Sequence, residues 1–310
     1  MVRWGHRMDL LDYPNDRSSH DRATPRGAGM GLLAAFVLCA LWFGAPAAFW
    51  GPAVLVAAAS FQNDRRELDI RLRLVIQFSA AGLFLAFLPV FDFLSPFATV
   101  GLALFYAVFV VGTANYYNFM DGINGIAAIT GIVGFGLMAA YGYGTGKPVF
   151  LWNISLGMAL ACAGFLPFNM PRARVFMGDV GSILLGFVFA CVVVLSASSP
   201  AEFIVGAGFL FPFYADELIT MAERLKAGER ITQAHRRHLY QVLANEYGVA
   251  HWKVSVGYGM VQLFVGLCVW MFAGFGPVHG IVAIGIFSMA WYGVDRSVKR
   301  TTPKSSQGQS

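Results

Sequence analysis

The chain has 310 residues, 57% of them hydrophobic and 15% aromatic, with only 13% charged and a net charge of +5. Soluble domains carry about 25% charged residues, so this composition excludes a soluble globule. The cationic excess then reads as membrane topology and attraction to anionic lipids and phosphates, not as nucleic-acid binding.

From the N-terminus, a basic polar segment, "DYPNDRSSHDRATPRGAG" (12–29), precedes the first apolar run. That run, 29–61, is too long for one helix and is broken at "FGAPAAFWG", which predicts two short spans. Windows of spanning length, about 20 apolar residues each, then recur at 72–91, 97–117, 123–143, 149–168, 180–198, 202–221, 252–274 and 278–294. The expectation is an all-α, polytopic integral membrane protein of about ten transmembrane helices. Residues 1–298 are expected to form a single transmembrane domain, and 299–310 a disordered tail rich in Ser, Thr and Gln. No hydrophilic stretch of folding size is left over, and neither an internal repeat nor a cleavable signal is visible.

Ten spans place both termini on one side, and the distribution of Lys and Arg agrees. The loops on that side collect 21 of the 22 basic residues, and Lys147 stands alone on the other. By the positive-inside rule the basic side is cytoplasmic. Trp42, Trp50, Trp152 and Trp270 fall near the predicted outer ends, where an aromatic belt belongs. Cys39, Cys162, Cys191 and Cys268 lie in apolar spans without metal-ligand spacing and read as small buried hydrophobes.

The remaining polar clusters share the basic side. In "NYYNFMDGIN" (115–124), Asn118, Asp121 and Asn124 recur at i, i+3 and i+6, which puts them on one face if the helix continues. Capping needs one such residue, whereas this stretch has Asn115 as well. In "NMPRARVFMGDVGS" (169–182), Asp179 opens an apolar helix between Gly178 and Gly181. It suits an N-cap, and it equally suits a phosphate site with a carboxylate to hold Mg²⁺. "ERLKAGERITQAHRRHLYQ" (223–241) carries His235 and His238 around Arg236 and Arg237, without the further ligands that zinc requires. "FQNDRREL" (61–68) ends a span with Asn63 and Asp64 among arginines, and "TPRGAG" adds Arg26.

These clusters, in this order, resemble the polyprenyl-phosphate N-acetylhexosamine-1-phosphate transferase superfamily, glycosyl transferase family 4. The resemblance runs over residues 12–241, and the HxxHxYQ form is most similar to the O-antigen-initiating branch. It implies that a UDP-N-acetylhexosamine-type sugar and undecaprenyl phosphate, with Mg²⁺, give undecaprenyl-diphosphate-sugar and UMP at the inner face of a bacterial plasma membrane. It also implies roles. Asp179, with Asp64, would hold the metal. Asn115, Asn118, Asp121 and Asn124 would line the nucleotide-sugar pocket. His235, His238 and Arg22 would meet the diphosphate, with Arg26, Asn169 and Arg236 among the substrate contacts, and Asp64 would lie beside the acceptor phosphate. Such chemistry asks for charge neutralisation at a membrane surface more than for covalent help.

Three departures stand out. Members of the superfamily have a span before the "PNDRSSH" loop, where here about a dozen residues precede it. Asn124 replaces an Asp that many members carry, and Asn63 replaces the first carboxylate of an Asp-Asp pair. Asn63 keeps open the alternative of a weakened or inactive relative that binds polyprenyl phosphate. A secondary transporter, the third reading, would place its ionisable groups near the midplane and show a doubled architecture. The even span count is testable: a reporter active only in the periplasm, fused after Ser310, is expected to stay silent, and periplasmic activity would overturn it.

Overall fold

The computed structural model describes residues 10–12, 23–89, 91, 94–229 and 236–301. A two-residue antiparallel pair, β1 (Leu11–Asp12) and β2 (Thr24–Pro25), precedes the helices α1 (Gly29–Trp42), α2 (Ala47–Arg65), α3 (Ile70–Leu85), α4 (Pro96–Phe119), α5 (Ile126–Gly144) and α6 (Val149–Asn169). There follow α7 (Asp179–Ser196), α8 (Pro200–Gly208), α9 (Phe211–Lys226), the short α10 (Leu239–Gln241) running into a π-helical turn (Val242–Glu246), α11 (His251–Ala273) and α12 (Pro277–Thr301). Local chemistry sets several of the starts. Ser95 and Ser199 accept from Ala98 N and Glu202 N at the heads of α4 and α8, each followed by a proline that fits the first helical position. Asp69 does the same for α3 through Arg71 N, at 2.8 Å.

Every predicted span has a helical counterpart, and 29–61 does divide into two helices. Fewer of them are long and apolar enough to cross a membrane by themselves. Among the described residues six helices, α4, α5, α6, α7, α11 and α12, have that length and composition, and a seventh is reached if α8 and α9, bent by 85°, make one broken span. α1 has 14 residues, about 21 Å at 1.5 Å per residue, short of a hydrocarbon core of about 30 Å. α2 ends in the polar turn Gln62–Arg65, and α3 has 16 residues with Arg71 and Arg73 near its start. Counting apolar windows missed this because it ignores where a helix begins and stops. At the C-terminus, α12 runs to Thr301, three residues into the expected tail, and the rest of that tail lies outside the described residues.

α7 is the central helix, with 16 of its 18 residues buried. Glycines bring its neighbours close. A Cβ on Gly186 would lie 2.7 Å from Ala114 Cα and from Thr113 O of α4. A Cβ on Gly29 would lie 2.3 Å from Gly181 N, so the starts of α1 and α7 pack backbone against backbone. α4, α11 and α12 instead turn large apolar side chains outward, among them Phe97, Met260 and Met289, as lipid-facing helices do.

The helices alternate in direction, so the starts of α1, α3, α5, α7 and α11 meet the ends of α2, α4, α6 and α12 at one end of the bundle. Gly29–Gly181, Asp64–Asp179, Asn169–Gly125, His251–Asn124 and Lys299–Glu223 are all contacts at that end. Lys147 and Glu202 pair at the other, 2.9 Å apart. The packing at Gly186 predicts that Gly186→Ala costs about 1–3 kcal/mol, because the opposing atoms are backbone and cannot rotate away. Thermal unfolding in detergent checks this against Gly101→Ala, whose Cβ meets nothing within 4 Å.

Candidate active site

The site is organised by a carboxylate from one helix at the head of another. Asp64, in the last turn of α2 and buried, accepts from Asp179 N at 2.9 Å and from Val180 N at 3.1 Å. These are two of the four N–H groups that a helix start leaves without an intrahelical partner, and the positive end of the helix dipole favours the anion. Asp179 is therefore not the cap of α7 but its first residue. Gly178 holds the cap position with φ +74°, a conformation that favours glycine. A Cβ there would also come within 2.6 Å of Asp64 Oδ2.

With the cap supplied from outside, the Asp179 side chain is free to face the end of the bundle. Its Oδ2 accepts from Asn63 Nδ2 at 2.7 Å and its Oδ1 from Asn118 Nδ2 at 2.9 Å, while Arg73 Nη2 stands 3.5 Å from Oδ2. Asn118 also donates to Ser182 Oγ at 2.9 Å. Arg26 completes the surroundings. The segment behind it is laid along 175–177 by backbone bonds from Phe176 N to Pro25 O and from Gly29 N to Met177 O. Arg26 itself pairs with Asp12 and is within electrostatic reach of Asp64 and Asp179.

α4 stops at Phe119, so Asn118, Asp121 and Asn124 do not share a helical face as expected. Residues 120–125 form a turn that closes with Gly125 at φ +86°. Asp121 lies in that turn, partly buried, and its carboxylate accepts no hydrogen bond from a described residue. Burial first, and then the charges of Asp179 and Asp64, hold its carboxyl well above the usual carboxylate range.

The turn is covered by the 238–241 segment. Tyr240 Oη donates to Phe119 O at 3.0 Å and sits where a Cβ on Gly122 would fall, 2.2 Å away. That segment is held by Asp216 of α9, which is fully buried and accepts from Tyr258 Oη at 2.6 Å and Leu239 N at 3.0 Å. His238 lies between two acids, Nδ1 at 3.4 Å from Asp216 Oδ1 and Nε2 at 3.3 Å from Glu217 Oε2, and is only 2% exposed. Burial alone would lower its pKa, but the hydrogen bond and charge of Asp216, with Glu217, leave it raised.

The structure thus brings Asn63, Asp64, Asn118, Asp121, Asp179 and Arg26 together. The other expected site residues stand apart. Asn115 faces the bundle, donating to Gln77 Oε1 at 2.7 Å and Val111 O at 2.8 Å. Asn169 is buried and joins α5 to the following loop, accepting from Gly125 N and donating to Val175 O. Asn124 reaches Pro171 O and accepts at its carbonyl from Ser255. His238 is enclosed by acids, and Arg236 is exposed at the rim. Arg22 and His235 lie outside the described residues. Sequence reasoning missed Arg73, which it counted only for topology, and Asp216, whose signal was a pair of acids inside the apolar "FYADELI".

Among the described residues no three His, Cys, Asp or Glu side chains converge closely enough to hold a metal by themselves. Asp179 and Asp121, which has no hydrogen-bond partner among the described residues, nevertheless offer hard oxygen donors in a cluster of three mutually interacting acids. That fits Mg²⁺, which is commonly bound through one or two carboxylates and completed by substrate phosphates.

A bundle of apolar helices with carboxylates, amides and arginines gathered at one end is that of a multi-pass membrane protein with a polar cluster at one end of its helices. The model of glycosyl transferase family 4 matches residues 46–197. The decaprenyl-phosphate N-acetylglucosaminephosphotransferase of Mycobacterium tuberculosis (strain ATCC 25618 / H37Rv) is 29% identical over 304 residues, covering 84% of this chain and 74% of the relative. Its Mycobacterium leprae counterpart is 28% identical over 305 residues, covering 84% and 76%. A phospho-N-acetylmuramoyl-pentapeptide-transferase of Staphylococcus saprophyticus is 29% identical over 227 residues, covering 66% and 69%. The chain thus resembles glycosyl transferase family 4 over residues 46–197, about half of its length.

The arrangement around Asp216 predicts that Asp216→Ala, which leaves a buried imidazole beside Glu217 without its partner, costs about 3–5 kcal/mol. Thermal unfolding in detergent is expected to show that loss, and an unchanged midpoint would mean the 238–241 segment is held elsewhere.

Proposed function

We propose that this chain transfers an N-acetylhexosamine-type sugar-1-phosphate from a UDP-sugar to a polyprenyl phosphate, undecaprenyl phosphate in the first place. The products are polyprenyl-diphosphate-sugar and UMP, at the cytoplasmic face of a bacterial inner membrane. The observation that carries this reading is Asp179, presented at the head of the central helix beside Asp121 and flanked by Arg26 and Arg73, at the end of an apolar bundle. The names of the relatives support both the lipid phosphate and the amino sugar. The entry step of an O-antigen-type envelope glycan is the pathway that the HxxHxYQ form favours.

An oxygen of the lipid phosphate attacks the β-phosphorus of the UDP-sugar, the bond from that phosphorus to the bridging oxygen breaks, and UMP leaves. Each side chain has a part that its position suits. Asp179 and Asp121 would hold Mg²⁺, which supplies neutralisation of the donor diphosphate when bound. Arg26 and Arg73 lie beside the acids, where phosphate oxygens would be drawn. Asp64 keeps Asp179 aimed by fixing the start of α7, and Asn63 and Asn118 hold its two oxygens. The lipid reaches the site from the membrane side and the nucleotide from water, which is why the cluster belongs at the surface.

Purified protein with undecaprenyl phosphate, Mg²⁺ and a panel of radiolabelled UDP-sugars is expected to move label into lipid and release UMP. Asp179→Asn is expected to lower transfer by at least about 100-fold, since a neutral amide loses the charge that holds the metal. Near-normal transfer by that variant would leave Asp179 a structural residue. Its unfolding midpoint needs measuring alongside, because an amide nitrogen at 179 would face Asn63 or Asn118 donor to donor. A relative that binds the lipid phosphate without turnover would show label with no UDP-sugar tested.

A further inference from the structure

The side chain at 63 is oriented without ambiguity. Leu68 N–H, which can only donate, lies 2.8 Å from Asn63 Oδ1, and the Asp179 carboxylate lies 2.7 Å from Asn63 Nδ2. The amide therefore presents a hydrogen to Asp179, in a position where a carboxylate would present a second negative charge. Asp179 is held at both oxygens by neutral amides, and both oxygens of Asp64 go to the backbone of α7. That leaves Asp121 as the acid of the cluster that accepts no hydrogen bond from a described residue, and no trio of metal-ligating side chains among the described residues. The protein alone offers a divalent cation few anionic oxygens, and a donor diphosphate brings the others.

We infer that Asn63 is a positioning residue that keeps Asp179 in place without metal and, by withholding a further carboxylate, makes cation binding depend on the nucleotide diphosphate. This rests on the metal reading given under "Proposed function". Its consequence is an order of events: the cation is retained when the donor is present and released with UMP.

Free Mn²⁺, measured by electron paramagnetic resonance on the purified protein in detergent, tests this with UDP as the diphosphate probe. The natural chain is expected to bind Mn²⁺ at least about tenfold more tightly with UDP than without it. Asn63→Asp is expected to bind Mn²⁺ without UDP about 10–100-fold more tightly than the natural chain, and to lose most of the UDP dependence. Asn63→Ala, which frees Asp179 without adding charge, is expected to weaken the UDP-dependent binding about 10–100-fold, the usual effect of removing a group that orients a ligand, with no gain in the absence of UDP. A merely structural Asn63 would shift the unfolding midpoints of both variants and leave the Mn²⁺ affinities alone, which would overturn the inference. Equal Mn²⁺ affinity of the natural chain with and without UDP would overturn it while leaving the metal reading intact. If no form binds Mn²⁺ even with UDP, the metal reading fails and this inference with it. Should Asn63→Asp not fold, Asn63→Ala and the natural chain decide the matter.

Discussion

A helix start leaves N–H groups without intrahelical partners, and at the end of this bundle α7 meets the need by borrowing a carboxylate from α2. The bonds from Asp179 N and Val180 N to Asp64 fix the end of one helix against the head of another. Gly178 and the Gly29–Gly181 contact then let the neighbouring backbones close in. Because the cap comes from a different helix, the side chain at the head of α7 need not fold back on its own backbone. Asp179 can project into the site, with its direction set by Asn63 and Asn118. Remove the Asp64 contact and the register of α2, the start of α7 and the aim of Asp179 all lose their common reference.

Polar groups in this chain divide according to whether the protein satisfies them. Asn115, Asn169, Asp216 and His238 are each paired within the fold, and each joins elements that carry the site: α3 to α4, α6 to α5, α9 to the 238–241 segment. Asp121 has no such partner among the described residues. Partly burying such a carboxylate near two others is costly, and the cost is offset when it takes up a proton or when something cationic shares the space. Chemistry is to be sought there, and the satisfied groups explain why the site keeps its shape.

Asp216 is a second anchor built on the same principle as Asp64. It takes the first N–H of α10 together with the Tyr258 hydroxyl and lies beside His238, so that Tyr240 is delivered onto the Asp121 turn. Two buried acids at helix starts thus place the two halves of the site against each other, one from the α2–α7 side and one from the α9–α11 side.

The amino-acid sequence by itself determined the all-α architecture, the position of nearly every helix, the division of 29–61 in two, and the confinement of polar residues to one end. These follow from apolar periodicity, from glycine and proline breaks and from charge placement, all of which are local in the chain. It also singled out Asp64, Asp179, Asn118 and Asp121 as residue types able to do the chemistry. Only the tertiary structure decided which of them meet. Asp64 and Asp179 are separated by more than a hundred residues and touch because α2 and α7 run antiparallel. Asn115 turns inward and Asn118 toward the acids because a difference of three residues at the end of α4 decides between α3 and α7 as neighbour. Whether a carboxylate serves as cap, anchor or open ligand depends on what lies across from it, and in a bundle that is another helix, remote in the chain.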